Sequence, residues 1–480
     1  MRRQADTARA WKILAITSFA VFASALDTTI LYVAFPDIQK TFSDVSRADL
    51  SWAINAYTIV FAALLVPAGR IADRLGRRAV FFGGVVVFTV SSALAGAAPS
   101  ADLLIAARVV QAAGAAALLP SSLALVLSEF PPEKRSTAVG IWGAVGALAA
   151  AAGPTLGALI IETVSWRLAF FVNLPIGALT IILGYRLVRE SREPEARTPD
   201  LLGVPLLIAG VAALALGIVQ SDRWGWGDSR TLAAFAAGAV ILPLFVFRSA
   251  TYHSPALDLS LFRSKNYRMA NLATASFGIA FSAMFLGSVL FLNNVWGYSI
   301  LESGLLIAPG PLIAAVVAAA AGRAADRIGH RPLLVTGGLI FAAGNIWRVF
   351  DTGLEHDIWT LWLPSLLLTG IGVGLTLPTL SSAAVHGLAP SRFAVGSAVN
   401  QTVRQLGAVL GVALVIALLG SPSPAELLDA FHRVFWLLAA GGIATALFSL
   451  TIDTRPRNVA ASPEQAPDAL LRIERAEHLV

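Results

Sequence analysis

The sequence predicts an all-α integral membrane protein of fourteen spans, and three observations lead there. Apolar runs of about 20 residues, the length that crosses a bilayer as a helix, recur along the whole chain. Mean hydropathy is +0.73, with 56% hydrophobic and only 13% charged residues, more apolar surface than a soluble core of this size can bury. Finally, PAGRIADRLGRR at 67 to 78 returns as AAGRAADRIGHR at 320 to 331, which aligns Gly69, Asp73, Gly76 and Arg78 with Gly322, Asp326, Gly329 and Arg331. The chain contains a repeat, displaced by 253 residues.

The spans follow in order from the breaks between apolar runs. MRRQADTARAWK leads into an apolar run too long for the 7 to 15 residue core of a signal peptide, so 12–34 is read as an uncleaved first helix. Charged or Gly/Pro-rich breaks then delimit 51–68, 79–98, 102–128, 136–160 and 168–186. RESREPEARTPD and RSATYHSPALDLSLFRSKNYR bracket a further pair, 201–220 and 231–247. The second copy supplies 269–296, 303–321, 332–350, 359–380, 394–419 and 431–451.

Charge sets the orientation. The net charge of +6 and the 35 basic residues could suggest nucleic acid, yet they cluster in short loops between apolar runs. With a cytoplasmic N-terminus, 26 Lys/Arg fall in inside segments, seven in outside loops, and two, Arg108 and Arg404, within spans. That bias is the positive-inside rule. Both repeated loops are then cytoplasmic, after spans 2 and 10. A second alignment, Gly140, Gly153 and Gly157 with Gly396, Gly407 and Gly411, extends the repeat to spans 5 and 13. Eight spans separate equivalent positions, so the halves are parallel repeats. The expected organisation is an N-terminal six-helix bundle over 1–190, a linker with two extra helices over 191–265, a C-terminal bundle over 266–452 and a cytoplasmic tail over 453–480. Only four of the basic residues are Lys, the bias of a GC-rich bacterial genome, which points to a bacterial inner membrane with both termini cytoplasmic.

The motifs carry a resemblance. GRIADRLGRR is similar to the signature loop between helices 2 and 3 of the major facilitator superfamily. ALDTTILYVAFP resembles the first-helix motif of its fourteen-helix drug:proton antiporter branch, ARVVQAAGAA the arginine-bearing motif of helix 4, and AAAAGPTLGA the antiporter Gly-Pro motif of helix 5. The chain departs at Tyr32, Ala112 and Ala158, where that pattern has Asn, Gly and Gly. The resemblance implies two six-helix bundles plus two extra helices, alternating access, and export of lipophilic drug-like or amphipathic molecules against protons, as in multidrug efflux and antibiotic resistance. It also implies that the loop built on Gly69, Asp73, Arg74, Gly76, Arg77 and Arg78 is a latch between halves that stabilises the outward-facing state.

Physical chemistry singles out the same residues. Asp27 lies about 13 Å and Arg108 about 9 Å below the outer surface at 1.5 Å per residue, so an interaction between them is expected, direct or through Gln111 or water. A carboxylate in a span costs roughly 2.5 to 3.5 kcal/mol and needs a partner or a function. Two readings stay open: Asp27 with Arg108 is the proton-coupling site, or the two form a static ion pair. Gly153, Pro154 and Gly157 give span 5 a smooth, kinked face along which helices can slide. Asn400, Arg404, Gly407 and Gly411 share one face of span 13, and Arg404 serves either substrate contact or structural pairing. Tyr32, Asn55, Gln111, Asn293, Asn400 and Arg404 are the expected cavity residues. Asn293, Asn294 and Trp296 line the cavity mouth or form an interfacial belt.

Other chemistries find no support. The chain has no cysteine, none of its four lysines follows a glycine as a phosphate-binding loop requires, and its six histidines lack ligand spacing. No cofactor, no metal and no enzymatic activity are expected, and the partners are a small-molecule substrate, protons and the lipid bilayer, with the protein acting as a monomer. A dedicated lipid, metabolite or nutrient transporter on the same fold is the nearest alternative; a membrane-embedded enzyme or sensor is the alternative from another class.

Overall fold

The computed structural model describes residues 2–192, 200–255, 257–388 and 392–454, so the tail lies outside the described residues from 455 onward and the first linker does so over 193–199. The first six helices are α1 (Arg2–Thr41), α2 (Trp52–Leu75), α3 (Arg77–Gly96), α4 (Ala101–Glu129), α5 (Pro132–Thr163) and α6, which is split into Trp166–Phe171 and Asn173–Gly184. The extra pair is α7 (Gly203–Trp224) and α8 (Ser229–Thr251). The last six are α9 (Lys265–Asn294), α10 (Ile300–Ile307 and Pro309–Ile328), α11 (His330–Asp351), α12 (Leu363–Val385), α13 (Phe393–Leu419) and α14 (Leu427–Ser449). Pro309 and Pro311 supply no backbone N–H, which is why α10 breaks between Ile307 and Pro309. Among the described residues thirteen stretches are long and apolar enough to cross a membrane; α5, whose side chains are described only in part, is a continuous helix of 32 residues.

Polar caps stop these helices at the loops. The Ser100 and Ser264 hydroxyls accept from the Leu103 and Tyr267 amides, and Ser299 forms a reciprocal capping box with Glu302, satisfying N–H groups that have no partner inside the helix. Along the shafts the outward positions stay apolar: Val90, Ile182, Phe247, Val316 and Trp359 are all exposed, as a lipid-facing surface requires.

Packing repeats with the same displacement as the motifs. α1 lies on α5 as α9 lies on α13, α3 on α4 as α11 on α12, and α2 on α4 as α10 on α12. α7 and α8 stand outside this pattern, packed on one another, with Val204, Leu207 and Val211 of α7 meeting Ile59 and Ala63 of α2 and Val409 of α13. The extra pair therefore sits beside the seam where α2 and α13 meet.

Both repeated loops turn through a glycine with positive φ, Gly76 at 121° and Gly329 at 81°, a conformation that strains any residue with a Cβ. The end of the bundle that carries them is called here the motif end. The helix that follows each glycine is capped by the segment after the sixth helix of its own set. Glu190, after α6, accepts from the Arg78 and Ala79 amides at 3.0 and 3.1 Å, and Thr454, after α14, accepts from the His330 amide at 2.9 Å. A Cβ at Gly76 would also collide with the Glu190 carboxylate. Gly76→Ala is expected to cost about 1 to 3 kcal/mol through strain and displacement of that cap, read as a lower thermal midpoint of the purified protein; an unchanged midpoint would show that the loop relaxes freely.

Candidate functional site

Asp27 on α1 is 3% and Arg108 on α4 1% exposed, and they meet directly: Arg108 Nη1 stands 2.5 Å from Asp27 Oδ2. The same nitrogen donates to Gln111 Oε1 at 2.7 Å, while Arg108 Nε donates to the Ala53 carbonyl of α2 at 3.2 Å. The other carboxylate oxygen accepts from Gln111 Nε2 at 2.9 Å and from Asn173 Nδ2 of α6 at 3.1 Å. Asn173 is held in turn against Ser92 Oγ of α3 at 3.0 Å. The guanidinium lies 3.9 Å from the centre of the Tyr57 ring, a cation–π contact that shields its other face. One carboxylate thus takes three donors from two neighbouring helices, so the desolvation of both charges is offset by short, charge-assisted bonds. The sequence expectation named Asp27, Arg108 and Gln111. It missed Asn173, whose only sequence signal is an amide inside an apolar run.

The loop residues are held at the motif end. Asp73 pairs with Arg77 one turn later at 2.8 Å, Arg77 N donates to Ser191 O, and Arg78 donates to the Tyr185 carbonyl at 2.7 Å with its guanidinium over the Tyr185 ring. Arg74 is exposed, and Gly69 packs on Pro120 of α4. The ion pair of Asp73 stays inside its own loop. The side chain of the equivalent Asp326 lies outside the described residues.

At the opposite end the two sets of helices touch. Gly304 of α10 lies so close to α5 that a Cβ there would come within 2.5 Å of the Ala158 Cβ and 2.8 Å of the Pro154 carbonyl. Glu162 Oε2 accepts from the Leu301 amide at 2.6 Å, and Tyr32 of α1 stacks on Phe285 of α9 with ring centres 6.1 Å apart. Gly153 and Gly157 bring α5 against Thr29 and Ile30 of α1. Ala158, one of the three departures from the family pattern, is thus the residue that faces Gly304.

The remaining expected cavity residues do not converge. Asn55 is buried and donates to Ser51 Oγ at 3.4 Å, and Asn293 donates to the Tyr298 carbonyl at 2.9 Å, a loop contact. Trp296 is buried, donating to the Gly353 carbonyl and stacking edge-on with Phe291 and Trp362, while Asn294 is exposed. Asn400 joins α13 to α9 through Asn271 Oδ1 and Thr274 Oγ1 at 3.1 and 2.9 Å, and Gly407 and Gly411 face the α9 backbone beside it. Arg404 is partly exposed deep in the bundle and its printed bonds run to Gln401 of its own helix; no ion pair to it is present among the described residues. Sequence reading placed Arg348 at a helix end, yet it is fully buried, donating to Ser365 Oγ at 2.9 Å with its guanidinium 4.3 Å from the Trp362 ring centre.

Sequence comparison adds the family. The profile of the Major Facilitator Superfamily matches residues 17–291 and again 272–477, so the two matches together cover most of the chain. The chain belongs to the Major Facilitator Superfamily. It is 35% identical over 409 residues, 85% of this chain and 75% of the other, to the Multidrug resistance protein Stp of Mycobacterium tuberculosis. It is 32% identical over 474 residues, 96% of this chain and 97% of the other, to the Cephamycin export protein CmcT of Amycolatopsis lactamdurans. Its fold matches that of a bacterial homolog to the human lysosomal transporter Spinster, solved in an inward-facing and unoccupied conformation, with a TM-score of 0.64 at 18% identity over 92% of this chain and 97% of the other. It is a multi-pass membrane protein of a transporter family.

Proposed function

We propose that this protein exports lipophilic or amphipathic small molecules in exchange for protons, by alternating access, as a monomer in the bacterial plasma membrane with the motif end and both termini in the cytoplasm. Relatives whose names specify multidrug resistance and cephamycin export support export as the direction. The observation that carries the coupling is the Asp27 carboxylate, buried and bound by Arg108, Gln111 and Asn173.

The chemistry follows from competing pulls. Burial favours the neutral acid, and the guanidinium favours the carboxylate. Opening one end of the bundle changes both the hydration of Asp27 and its distance to Arg108, so proton affinity becomes a function of conformation. A protonated Asp27 can donate where it had only accepted, which frees Arg108 and Gln111 to rearrange. Arg108 acts as the fixed counter-charge, since guanidinium does not titrate in this range. The contacts of α5 with α10 and of α1 with α9 close the opposite end, and Asp73 is engaged inside its own loop. This arrangement fits the state in which the latch is undone and the substrate path faces the motif end.

The test is transport in proteoliposomes over a panel of unrelated hydrophobic compounds. An acidic lumen is expected to drive uptake as protons leave, and a protonophore to collapse it; uptake indifferent to the gradient would refute antiport. Asp73→Asn is expected to leave folding intact, because the pair it breaks is partly hydrated, and to shift the equilibrium further from the outward-facing state by up to about 1 kcal/mol. Single cysteines placed at either end of this naturally cysteine-free chain report it: unchanged labelling at both ends with full transport would count against the latch.

A further inference from the structure

A polar cavity of about 530 Å³ opens at the motif end, between the end of α2, the end of α8 and the segment leading to α9. Its basic side chains are Arg70, His253 and Arg263, and its hydroxyls include Ser249, Ser254 and Ser260. Asp258, the carboxylate that also lines it, is already engaged, bonded to Arg392 at 2.8 Å and to Ser260. Burial pushes the Asp258 carboxyl up, but the bonds from Ser260 and Arg392 outweigh it and hold it below the usual carboxylate range, so it stays ionised and satisfied. The balance left in the cavity is positive.

A second observation points to an occupant. Ser249 is 3% exposed and its hydroxyl has no hydrogen-bond partner in the structure, although it lines this cavity. A buried hydroxyl left unpaired is costly unless a ligand or water completes it. Arg70 meanwhile donates to Ser254 Oγ at 2.7 Å, which fixes its guanidinium at the cavity wall. Forked guanidinium donors and hydroxyls converging on one polar space suit a tetrahedral oxyanion. The site also lies where α2 and α8 end, at the level of lipid headgroups.

We propose that this cavity binds a phosphate group, carried either by an anionic phospholipid headgroup or by a soluble phosphate compound. The consequence is mechanical. Arg70 belongs to α2, and Arg392 immediately precedes α13, so the segment between α8 and α9 is bonded to both sides of the seam. A phosphate seated on Arg70, Arg263 and Ser249 strengthens that strap and ties the extra helices to the movement of the two sets. This goes beyond the transport reading and is tested without any transport measurement.

The full-length protein is reconstituted in bilayer discs of phosphatidylcholine with a minority of phosphatidylglycerol, released into detergent, and its retained lipids are counted by native mass spectrometry. Retention of phosphatidylglycerol over phosphatidylcholine is expected, falling about fivefold in Arg263→Gln and further in Arg70→Gln/Arg263→Gln, as loss of one near-surface cation at a time implies. Arg263 is exposed, so its single variant keeps the test independent of folding. If the source is soluble, inorganic phosphate instead raises the thermal midpoint of the parent and not of Arg263→Gln. Phosphatidylglycerol retained equally by parent and variants, or no response to either probe, would overturn the proposal.

Discussion

Replacing Asp27 by Asn is expected to abolish transport driven by a pH gradient, to below about 1% of the parent rate, while leaving substrate binding measurable and insensitive to pH. One proton entering down about 180 mV supplies roughly 4 kcal/mol, enough for a thousandfold concentration ratio of a neutral substrate. Using that energy requires a group that takes a proton on one side and releases it on the other. Asp27 is the carboxylate that lies deep in a span with an ionic partner, whereas Glu129 and Glu162 sit at helix ends, the first paired with Arg9 and the second with the Leu301 amide. Asparagine keeps the shape and one acceptor for Gln111 and Asn173 but leaves Arg108 without its anion. Removing one partner of a buried pair costs about 3 to 5 kcal/mol, so insertion and thermal midpoint must be measured beside transport. A variant that folds, binds substrate and still concentrates it on a proton gradient would make Asp27 structural and move the coupling site elsewhere.

The same pair shows how far the sequence carries. Its depth follows from counting along two antiparallel helices at a fixed rise, and matched depth on neighbouring spans is enough to bring Asp27 to Arg108. The repeat was legible for a similar reason: identical residues at a constant displacement must occupy equivalent places. Asn173 was not legible, because the break at Val172 and the rotation of α6 that aims its amide at Asp27 come from packing against α1 and α3 rather than from local pattern. Nor was the Glu190 cap, which joins residues more than a hundred apart in the chain. Arg348 illustrates the limit most clearly. Hydropathy puts an arginine three residues from a helix end at the surface, yet Trp362, Phe435 and Ser365 enclose it. Asn400 shared a helix face with Arg404 as its spacing required, but that face is turned to α9.

Gly304→Leu is expected to hold the opposite end of the bundle apart and to reduce transport at least tenfold without preventing insertion. The position has no room: Ala158 and the Pro154 carbonyl already stand against the missing Cβ. In a helix interior the backbone could accept leucine, so the penalty falls on the α5–α10 contact and hence on one conformation. Overpacking a close contact costs about 1 to 3 kcal/mol, and each 1.4 kcal/mol shifts a two-state equilibrium tenfold, so the closed form loses about tenfold to a hundredfold in population. Phe285→Cys provides the readout, since Phe285 is 5% exposed beneath Tyr32 while the opposite end is closed. In the leucine background this cysteine is expected to react with a small water-soluble maleimide, and a cysteine at Leu75, exposed at the motif end, to react less as that end closes. Unlike Asp27→Asn, this variant keeps the proton site, so its pH dependence of substrate binding should survive at a shifted midpoint. If Phe285→Cys labels no faster in the leucine background and transport is retained, the α5–α10 contact is ordinary packing, and closure of that end must depend on the α1–α9 pair alone.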